Sequence, residues 1–476
     1  MTDPLEQVNM VLGKAVRAAA IFSQLDQAHT DRIVKAVYLA GLAKRVELAK
    51  MAYQETGIGK WRDKVIKNVV ATQLVYEDIK DLKTVGVISD DSDKGVMEIA
   101  QPLGPVLAIT PVTNPTSTVM FKILIALKTR NPIIVSPHRR ATECSIEAAR
   151  ICYEAALRED APEDCIQWVK HTSREQTQAL MGHRKLALTI ATGGGSLVKA
   201  AYSSGNPALG VGAGNVPVFV EESADIPFAA EQIFLSKTFD NGTVCCSEQS
   251  IVVQRSVAEE LTAELKNQGG YFLSDQEIKQ VEKVAFDDTR GIMSAAIVGK
   301  SAAYIAELAG LSLPEGTRVL IAPLKGIGKK YKLSSEILAP ILGFYVADGF
   351  QHAVNLCIEL NFHGGIGHTA SIFSNNTDKI RQFAMVMNAG RIVVNMPSSQ
   401  GGVGGIYNTL HPSLTLGCGA SGKNITTDNI TATHLLNIQR VTKRRTNERL
   451  ARFDTGAYLD PAVGAQEIER LYNRNY

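Results

Sequence analysis

Short runs rich in β-branched residues alternate with segments of helical period over most of the chain from residue 106 onward. Strands that alternate with helices form a parallel sheet covered on both faces, so this pattern predicts an α/β fold. A first series of candidate strands occupies residues 106–110, 132–137, 166–170, 186–192 and 216–220. The alternation then starts again, with candidate strands at residues 251–254, 318–322, 341–346, 370–374 and 391–395.

Two helices and a hairpin are predicted before the first series of strands. Asp3 and Pro4 supply the cap and first-turn proline of one helix, and a second helix is predicted from about Thr30 to a stop at Gly57. Residues 87–101 hold an Asp-rich turn between two β-like runs, which predicts a protruding hairpin. The apolar stripe predicted for the first helix is Leu5, Val8, Leu12 and Val16.

A pair of adjacent cysteines, Cys245 and Cys246, lies between the two series, just after the turn signal Asp-Asn-Gly. A thiol beside a glycine turn in a thiol-poor chain is typical of an exposed nucleophile. A vicinal pair in a buried turn, or an adventitious disulfide, fits the motif equally well. The 476 residues predict two or three domains, and a nucleophile between two α/β units suits an enzyme with a cleft.

Composition and charge argue against several classes of protein. The net charge of +2 gives no electrostatic reason to expect nucleic acid or an anionic membrane as partner. No apolar run approaches the ~18 residues that span a bilayer, and the N-terminus lacks the pattern of a secretory signal. The seven cysteines are mostly scattered, so a cytoplasmic protein without disulfides is expected. No Cys-x-x-Cys or His-x-x-x-His spacing is present, so no metal site is predicted.

Three consecutive glycines, residues 193–195, follow the candidate strand at 186–192 and precede a helical segment. Glycines at such a turn let a pyrophosphate approach the backbone, and the helix N-terminus presents free N–H groups to it. The run is not the G-x-G-x-x-G fingerprint, so taken alone it is a weak indication of a dinucleotide site.

A set of longer motifs follows in fixed order: DKVIKN (63–68), ITPVTNPTST (109–118), LKTRNPIIVSPH (127–138), ATGGGSLVKAAYSSGNPALGVGAGN (191–215), FDNGTVCCSEQS (239–250), GGIGHT (364–369), SQGGVGG (399–405) and LTLGCG (414–419). With these motifs the chain resembles the CoA-acylating aldehyde dehydrogenases, above all the aldehyde dehydrogenase half of the bifunctional aldehyde–alcohol dehydrogenases. The resemblance covers roughly residues 5–445. Each motif is weak by itself, and their number and order make the resemblance specific.

The resemblance implies an aldehyde dehydrogenase-like α/β fold with a Rossmann-like cofactor domain, an α/β catalytic domain and a small oligomerisation hairpin. The likeness to the family's hairpin implies pairing between subunits with residues near 427–445, so a homodimer or a dimer-based homo-oligomer is expected. An exposed hairpin without a partner is the alternative. The implied boundaries are an NAD(P)-binding domain at 1–86 and 102–240, a catalytic domain at 241–426, oligomerisation elements at 87–101 and 427–447, and a C-terminal tail at 448–476.

The resemblance also implies NAD or NADP as cofactor. Ser136 stands where many members of the wider superfamily have a lysine at the adenosine ribose, and its presence matches the acylating branch. Arg139 has a guanidinium that could bind a 2′-phosphate, and a solvated arginine fits equally well. Glu336 matches a glutamate that orients the nicotinamide ribose. The complete predicted cofactor site is Thr110, Pro111, Ser136, His138, Arg139, Gly193, Gly194 and Glu336.

The implied chemistry centres on Cys245, whose thiolate adds to an aldehyde to give a thiohemiacetal and then a thioacyl-enzyme that coenzyme A releases. Asn114 and a backbone N–H near Cys245 would stabilise the oxyanion. Cys245 is preferred to Cys246 because it keeps the family's offset from Asp-Asn-Gly. His368 would assist deprotonation of CoA or polarise the carbonyl, and a structural histidine fits equally well. Residues 400–405 are expected at the cleft mouth.

An absent carboxylate separates two possible acyl acceptors. Hydrolytic relatives have a glutamate, in a motif resembling E-L-G-G-K, that activates water. The matching stretch here, residues 210–215, contains no carboxylate. Water needs a general base, whereas a thiol with a pKa near ~8.5 is a competent nucleophile with little help. The sequence therefore favours CoA over water.

The sequence therefore predicts a CoA-acylating aldehyde dehydrogenase with acetaldehyde as the default substrate and CoA as co-substrate. Propanal, sulfoacetaldehyde and succinic semialdehyde stay open as substrates of the same chemistry. A hydrolytic dehydrogenase and a non-catalytic scaffold or filament subunit are the alternatives. The missing glutamate argues against the first, and the set of Asn114, Cys245 and Glu336 argues against the second.

Overall fold

The structure is a computed structural model that describes residues 4–170, 173–287 and 291–474. The chain forms two compact units, one of Met1–Leu82 with Pro102–Leu436 and a smaller one of Lys83–Gln101 with Asn437–Tyr476. No helix among the described residues is long and apolar enough to cross a membrane. The domain boundaries implied by the resemblance stay predictions.

The first helix buries a different stripe from the predicted one. Val8 and Leu12 are buried as expected, but Leu5 and Val16 are exposed, so the predicted stripe is wrong at these two positions. Positions 8, 11, 12 and 15 carry the buried face, because the helix presents that side to the first sheet and its flanking helix. The predicted cap residue Asp3 lies outside the described residues. The helix is α1 (Pro4–Phe22).

The predicted helix from Thr30 to Gly57 is two helices, which corrects the sequence prediction. The break is at Lys44 (φ −94°, ψ 8°), whose N–H still donates to the Ala40 carbonyl oxygen. The second of the two helices packs mainly against the helix that follows it in the chain. The first packs mainly against the helices at residues 115–128 and 142–157. Gly57 ends the second helix at φ 64°, a left-handed conformation that suits glycine. The helices are α2 (Gln27–Ala43), α3 (Arg45–Thr56), α4 (Trp61–Val69) and α5 (Val75–Ile79).

A parallel five-stranded sheet follows, with the strands in the order β5 (Ile166–Trp168), β4 (Ile133–Ser136), β3 (Val106–Ile109), β6 (Leu188–Thr192) and β7 (Ala208–Val211). Its central strands are wholly buried because helices cover both faces, as predicted for an α/β fold. The first four strands of the first series are confirmed. The elements are β3 (Val106–Ile109), α6 (Pro115–Lys128), β4 (Ile133–Ser136), α7 (Thr142–Leu157), β5 (Ile166–Trp168), α8 (Arg174–Met181), β6 (Leu188–Thr192), α9 (Gly195–Tyr202) and β7 (Ala208–Val211), preceded by the hairpin β1 (Gly86–Asp91) and β2 (Val96–Pro102).

A second parallel sheet has seven strands, in the order β10 (Gly270–Phe272), β13 (Val319–Pro323), β14 (Ile341–Ala347), β9 (Glu248–Gln254), β8 (Val216–Val220), β15 (Gly367–Phe373) and β16 (Ala389–Val394). The candidate strand at 216–220 forms, but it pairs with β9 and β15 here and not with the first series. All five strands of the second series are confirmed. The elements are β8 (Val216–Val220), α10 (Ile226–Thr238), β9 (Glu248–Gln254), α11 (Ala258–Asn267), β10 (Gly270–Phe272), α12 (Asp275–Ala285), β11 (Phe286–Asp287), β12 (Ile292–Met293), α13 (Ala302–Leu308), β13 (Val319–Pro323), β14 (Ile341–Ala347), α14 (Phe350–Gly364), β15 (Gly367–Phe373), α15 (Thr377–Val386), β16 (Ala389–Val394) and α16 (Ser398–Val403).

The smaller unit contains the predicted hairpin, which is confirmed as the antiparallel pair β1 and β2. A third strand of the same chain lies beside β2 in a three-stranded sheet. Pairing between subunits stays a prediction. The remaining elements are β17 (Leu436–Thr442), α17 (Glu448–Ala451), α18 (Gly456–Leu459) and α19 (Ala465–Asn473).

Candidate active site

Loops from both large sheets enclose a cavity of about 290 Å³ in the larger unit. Ligands of parallel α/β sheets bind outside the carboxyl ends of the strands, and the links after β3, β6 and β7 line this cavity. The segment that leads into β9 adds Cys245. Most of the wall is apolar, from Val70, Val112, Val211, Phe239, Val244, Val298, Leu338, Val403, Ile406, Leu414 and Leu416.

The two adjacent cysteines have different surroundings. Cys245 lines the cavity and is partly exposed, whereas Cys246 is fully buried. The Cys246 Sγ donates to the Ser399 carbonyl oxygen at 3.3 Å. The other five cysteines are buried and free. Cys245 is therefore the cysteine that a molecule in the cavity can reach.

The Cys245 thiol is influenced by both the Cys246 thiol and the His368 ring. Hydrogen bonding with the Cys246 thiol and burial raise the pKa of Cys245 well above its ordinary value, and His368 opposes both effects. The His368 ring is buried, with Nδ1 2.9 Å from the Thr369 Oγ1. Its Nε2 has no hydrogen-bond partner among the described residues. Unpartnered buried nitrogens are rare, so the free edge of the His368 ring needs a functional explanation.

Asn114 enters the cavity from the first turn of α6. Pro115 occupies the start of this helix, and the Asn114 side chain makes no capping bond to it. The amide instead turns toward the cavity, where Nδ2 donates to the Thr113 Oγ1 at 3.2 Å. Its Oδ1 accepts a hydrogen bond of 2.6 Å from the Lys67 Nζ. The side chain is thus held from both ends.

A buried ion cluster lies under the turn that precedes the cysteines. The Asp240 carboxylate accepts hydrogen bonds from Lys64 at 3.0 Å and from Lys67 at 2.5 Å. Burial lowers the pKa of Lys67 to about 8, and Asp240 opposes this. Burial would raise the pKa of Asp240, but the charges of the two lysines outweigh it and lower that pKa. The cluster fixes a turn in which Asp240 and Asn241 both have positive φ, 48° and 54°.

Glu336 is the one carboxylate among the described residues that line the cavity. Its Oε1 accepts a hydrogen bond of 2.9 Å from the Gly214 N–H. Burial raises the pKa of Glu336 to about 7, while the Gly214 bond and Lys237 lower it. The carboxylate can therefore change protonation state near neutral pH.

The predicted cofactor residues divide into two groups. Pro111, His138, Gly193, Gly194 and Glu336 line the cavity, whereas the other three do not line it. Of those three, Thr110 and Ser136 are buried and Arg139 is exposed, each at the end of a strand of the first sheet or just beyond it. Burial, together with nearby arginines, lowers the pKa of His138, so its ring is neutral at neutral pH.

The glycine turn after β6 has the room that a dinucleotide needs. Apart from the adjoining backbone, a Cβ at Gly194 or Gly195, or at Gly212 after β7, would have no neighbour within 4 Å, whereas a Cβ at Gly193 would lie 2.9 Å from the Leu197 Cδ2. Helix α9 begins at this turn with Gly194 as its cap residue and no side chain bonded to its first amides. Free amides, open backbone and the Glu336 carboxylate suit a pyrophosphate and ribose hydroxyls. These residues fit NAD or NADP.

Gly214 packs behind Cys245, and a larger residue at this position is expected to displace the cysteine. A Cβ here would lie 2.2 Å from the Cys245 carbonyl oxygen and 3.1 Å from the His368 ring. We expect Gly214→Ala to displace the cysteine backbone by about 1 Å, lowering kcat/KM about 10²-fold. Stability should fall by roughly 1–3 kcal/mol. Steady-state kinetics and thermal melting test this, with Gly212→Ala as the melting control because its Cβ meets open space. Equal melting temperatures for the two variants would contradict the prediction.

Fold and site together define a dehydrogenase-type α/β enzyme with a cysteine in its cofactor cavity. A sequence model described as "Aldehyde dehydrogenase family" matches residues 3–284, more than half of the chain. The chain belongs to the aldehyde dehydrogenase family, as the sequence motifs predict.

Individual relatives agree with the predicted resemblance. The chain is 44% identical to the bifunctional aldehyde-alcohol dehydrogenase AdhE of Escherichia coli K12 over 93% of this chain and 50% of that protein. The chain spans about half the length of such curated relatives. An acetylating aldehyde dehydrogenase from Geobacillus thermoglucosidasius is 45% identical, covers 94% of this chain and 99% of its own, and superposes with a TM-score of 0.91. A propionaldehyde dehydrogenase from Rhodopseudomonas palustris, solved with bound CoA and an acylated cysteine, is 28% identical, covers 92% and 97%, and has a TM-score of 0.82.

Sequence reasoning missed several polar residues of the site. Lys67 and Thr243 line the cavity, and Asp240 lies beneath it. The motif DKVIKN was a signal, because it places charged residues on one helix face. Lysines on a helix are usually solvated, so a buried role could not be assigned to Lys67 from sequence.

Proposed function

We propose that the protein is a CoA-acylating aldehyde dehydrogenase that converts an aldehyde, CoA and NAD(P)+ to acyl-CoA and NAD(P)H. The observation that carries the proposal is the pairing of a reachable Cys245 with Asn114 in a cavity whose single described carboxylate, Glu336, is bonded to a backbone amide. Val211, Gly212 and Ala213 line the cavity. By the sequence resemblance they belong to the stretch in which hydrolytic relatives have their base. Nothing in that stretch activates water.

In the proposed mechanism Cys245 forms a C–S bond with the aldehyde carbon while the carbonyl π electrons move to oxygen. Asn114 Nδ2 stabilises the oxyanion in the proposal. Bound NAD(P)+ supplies the acceptor for the hydride that leaves the same carbon. The thiol proton passes to His368, whose Nε2 is free among the described residues. As the hydride leaves, the oxyanion electrons re-form the carbonyl and give the thioester. The CoA thiolate then attacks the thioester carbon, the Cys245–carbon bond breaks, and the Cys245 sulfur takes back the proton held by His368.

The lining of the cavity supports an uncharged substrate. Two cationic or ionisable nitrogens lie in the wall, and neither is available to an anion. Lys67 is bonded to Asp240, and His138 is neutral. The apolar wall suits the short alkyl group of acetaldehyde or propanal. A sulfonate or a distal carboxylate would be desolvated without a partner, so sulfoacetaldehyde and succinic semialdehyde are the weaker candidates.

The coenzyme, location and assembly of the proposed enzyme stay predictions. Either NAD or NADP fits the glycine turn, and the exposed Arg139 is the residue through which a 2′-phosphate would be held. We keep the cytoplasmic location and the dimer-based homo-oligomer as expectations. The alternative from another class is a non-catalytic scaffold. If the protein were a scaffold, a Cys245 variant would behave like the unmutated protein.

The test is NAD(P)H formation from acetaldehyde by the purified protein, with and without CoA, in each coenzyme. We expect a strictly CoA-dependent rate because residues 210–215, which match the stretch that holds the base of hydrolytic relatives, contain no carboxylate. The rate without CoA should be below about 1% of the full rate, a difference of ~10²-fold that one added base typically supplies. Turnover without CoA would instead favour a hydrolytic dehydrogenase with Glu336 as base, and removal of that activity by Glu336→Gln would establish it.

A further inference from the structure

The motif DKVIKN directs its charged side chains into the protein. Asp63, Lys64, Lys67 and Asn68 share one face of α4, because residues one turn apart on a helix lie above each other. Lys64 is 2% exposed and Lys67 is 4% exposed. The Asp63 carboxylate accepts the Asp240 N–H at 2.7 Å. Buried charges of this kind need a reason, since most lysines stay in water.

Lys67 uses all three of its N–H donors. They donate to the Asn114 Oδ1 at 2.6 Å, to the Asp240 Oδ2 at 2.5 Å and to the Thr243 Oγ1 at 2.9 Å. An ammonium group can only donate, so the Asn114 atom that faces it must be the amide oxygen. The Lys67 pKa of about 8 keeps the group mostly protonated at neutral pH.

This contact determines which Asn114 atom faces the cavity. Because the Asn114 Oδ1 accepts a hydrogen bond from Lys67, the other end of the amide is Nδ2. This Nδ2 donates one of its hydrogens to the Thr113 Oγ1. Its second hydrogen has no acceptor among the described residues, and Asn114 lines the cavity together with Cys245. Rotating the amide by half a turn would put an oxygen next to the developing oxyanion, which it would repel.

We propose that Lys67 is a positioning residue that locks the Asn114 amide with its Nδ2 toward the oxyanion formed on the Cys245 adduct. The inference rests on the proposed function, because it requires a tetrahedral oxyanion at Cys245. Asp240 holds Lys67 in place, so the turn before the nucleophile and the oxyanion donor are connected by one ammonium group.

A variant at Lys64 distinguishes the positioning role proposed for Lys67 from a purely structural one. Lys64 is equally buried and donates to the same Asp240 Oδ2, at 3.0 Å. Its second bond is to the Thr113 carbonyl oxygen and not to the Asn114 amide. Lys64→Met therefore removes the same charge from the same cluster but leaves the Lys67–Asn114 bond in place.

The test is a double-mutant cycle on CoA-dependent NADH formation with Asn114→Ala, Lys67→Met and the double variant. Loss of an oxyanion donor typically lowers kcat about 10²–10³-fold, which we expect for Asn114→Ala. Lys67→Met should lower kcat about 10–10²-fold, with the aldehyde KM unchanged, because the Nδ2 contact exists only in the tetrahedral state. The double variant should be no slower than Asn114→Ala alone, since Lys67 then has no amide to position.

Three results would overturn the inference. Multiplicative losses in the double variant would mean that Lys67 acts independently of Asn114. A loss in Lys64→Met as large as that in Lys67→Met would assign the effect to the ion cluster. Absence of CoA-dependent NADH formation in the unmutated protein would overturn the proposed function itself. Lys67→Gln, whose amide keeps a donor for Asp240, takes the place of Lys67→Met in the cycle if melting shows that variant unfolded.

Discussion

Cys245→Ala is expected to abolish CoA-dependent NADH formation, lowering kcat by about 10⁴-fold or more, as loss of a covalent nucleophile typically does. The physical reason is that no other thiol lines the cavity among the described residues. Asn114 alone can stabilise an oxyanion but cannot form the carbon–sulfur bond. The melting temperature should be almost unchanged, because the Cys245 side chain is only partly buried. Steady-state assays and thermal melting on the purified variant measure both.

Cys246→Ala is the matched control, since it removes a thiol one residue further along. The Cys246 Sγ is buried and donates to the Ser399 carbonyl oxygen, and it lies close to Gly402. We expect activity within about tenfold of the unmutated protein, because the effect is on packing, and a stability loss of ~1 kcal/mol. After incubation with acetyl-CoA, the acetyl group should be found on the Cys245 peptide. The opposite pattern of activities would reassign the nucleophile to Cys246.

The strands were predictable because their signal is local. Ten candidate strands form within a few residues of their predicted bounds, since buried parallel strands need continuous β-branched runs. The sheet that a strand joins is a long-range property. Residues 216–220 follow β7 in the chain but pair with β9 and β15, and nothing in their own sequence indicates those neighbours. The break at Lys44 was unpredictable because lysine is a good helix former and the nearest glycine, Gly41, lies inside the first helix.

The sequence allowed prediction of site residues whose chemistry requires a particular residue type. It did not allow prediction of roles that depend on what surrounds a residue in the folded protein. Cys245, Asn114 and Glu336 were selected by motif and all line one cavity. The environment of His368, buried with a free nitrogen, follows from β15 being covered on both sides. The pairing of Lys67 with Asp240 joins residues 173 positions apart, which no helical spacing reports. The roles of these residues stay predictions until the variants are measured.

Asp240→Ala is expected to cause a large stability loss, about 3–5 kcal/mol, because removing one partner of a buried ion pair leaves uncompensated charge. Asp240 is completely buried and is the carboxylate to which both Lys64 and Lys67 donate. Its left-handed backbone (φ 48°) adds roughly 1 kcal/mol, since alanine tolerates that conformation less well than aspartate. The variant should also lose most activity, because the turn that leads to Cys245 loses its anchor. Thermal melting and unfolding rates measure the stability loss.

Comparison with Asn241→Ala separates the effect of the Asp240 charge from the effect of the left-handed backbone. Asn241 is also left-handed (φ 54°) and buried, but it makes a neutral hydrogen bond, from Nδ2 to the Gly299 carbonyl oxygen at 2.8 Å. The free energy of unfolding should fall by about 1–2 kcal/mol in Asn241→Ala, clearly less than in Asp240→Ala.

The pH dependence of stability follows from the Asp240 pKa. The lysines lower this pKa in the folded state, against the effect of burial. The stabilisation by the Asp240 carboxylate is therefore present above the unfolded pKa of about 3.9 and is lost as pH falls through the lower folded value. The Asp240 carboxylate therefore stays charged between about pH 5 and about pH 7, and Asp240→Ala should melt below the unmutated protein at both pH values. Equal losses in the two variants, or no loss in Asp240→Ala at either pH, would show that the carboxylate charge does not hold the turn.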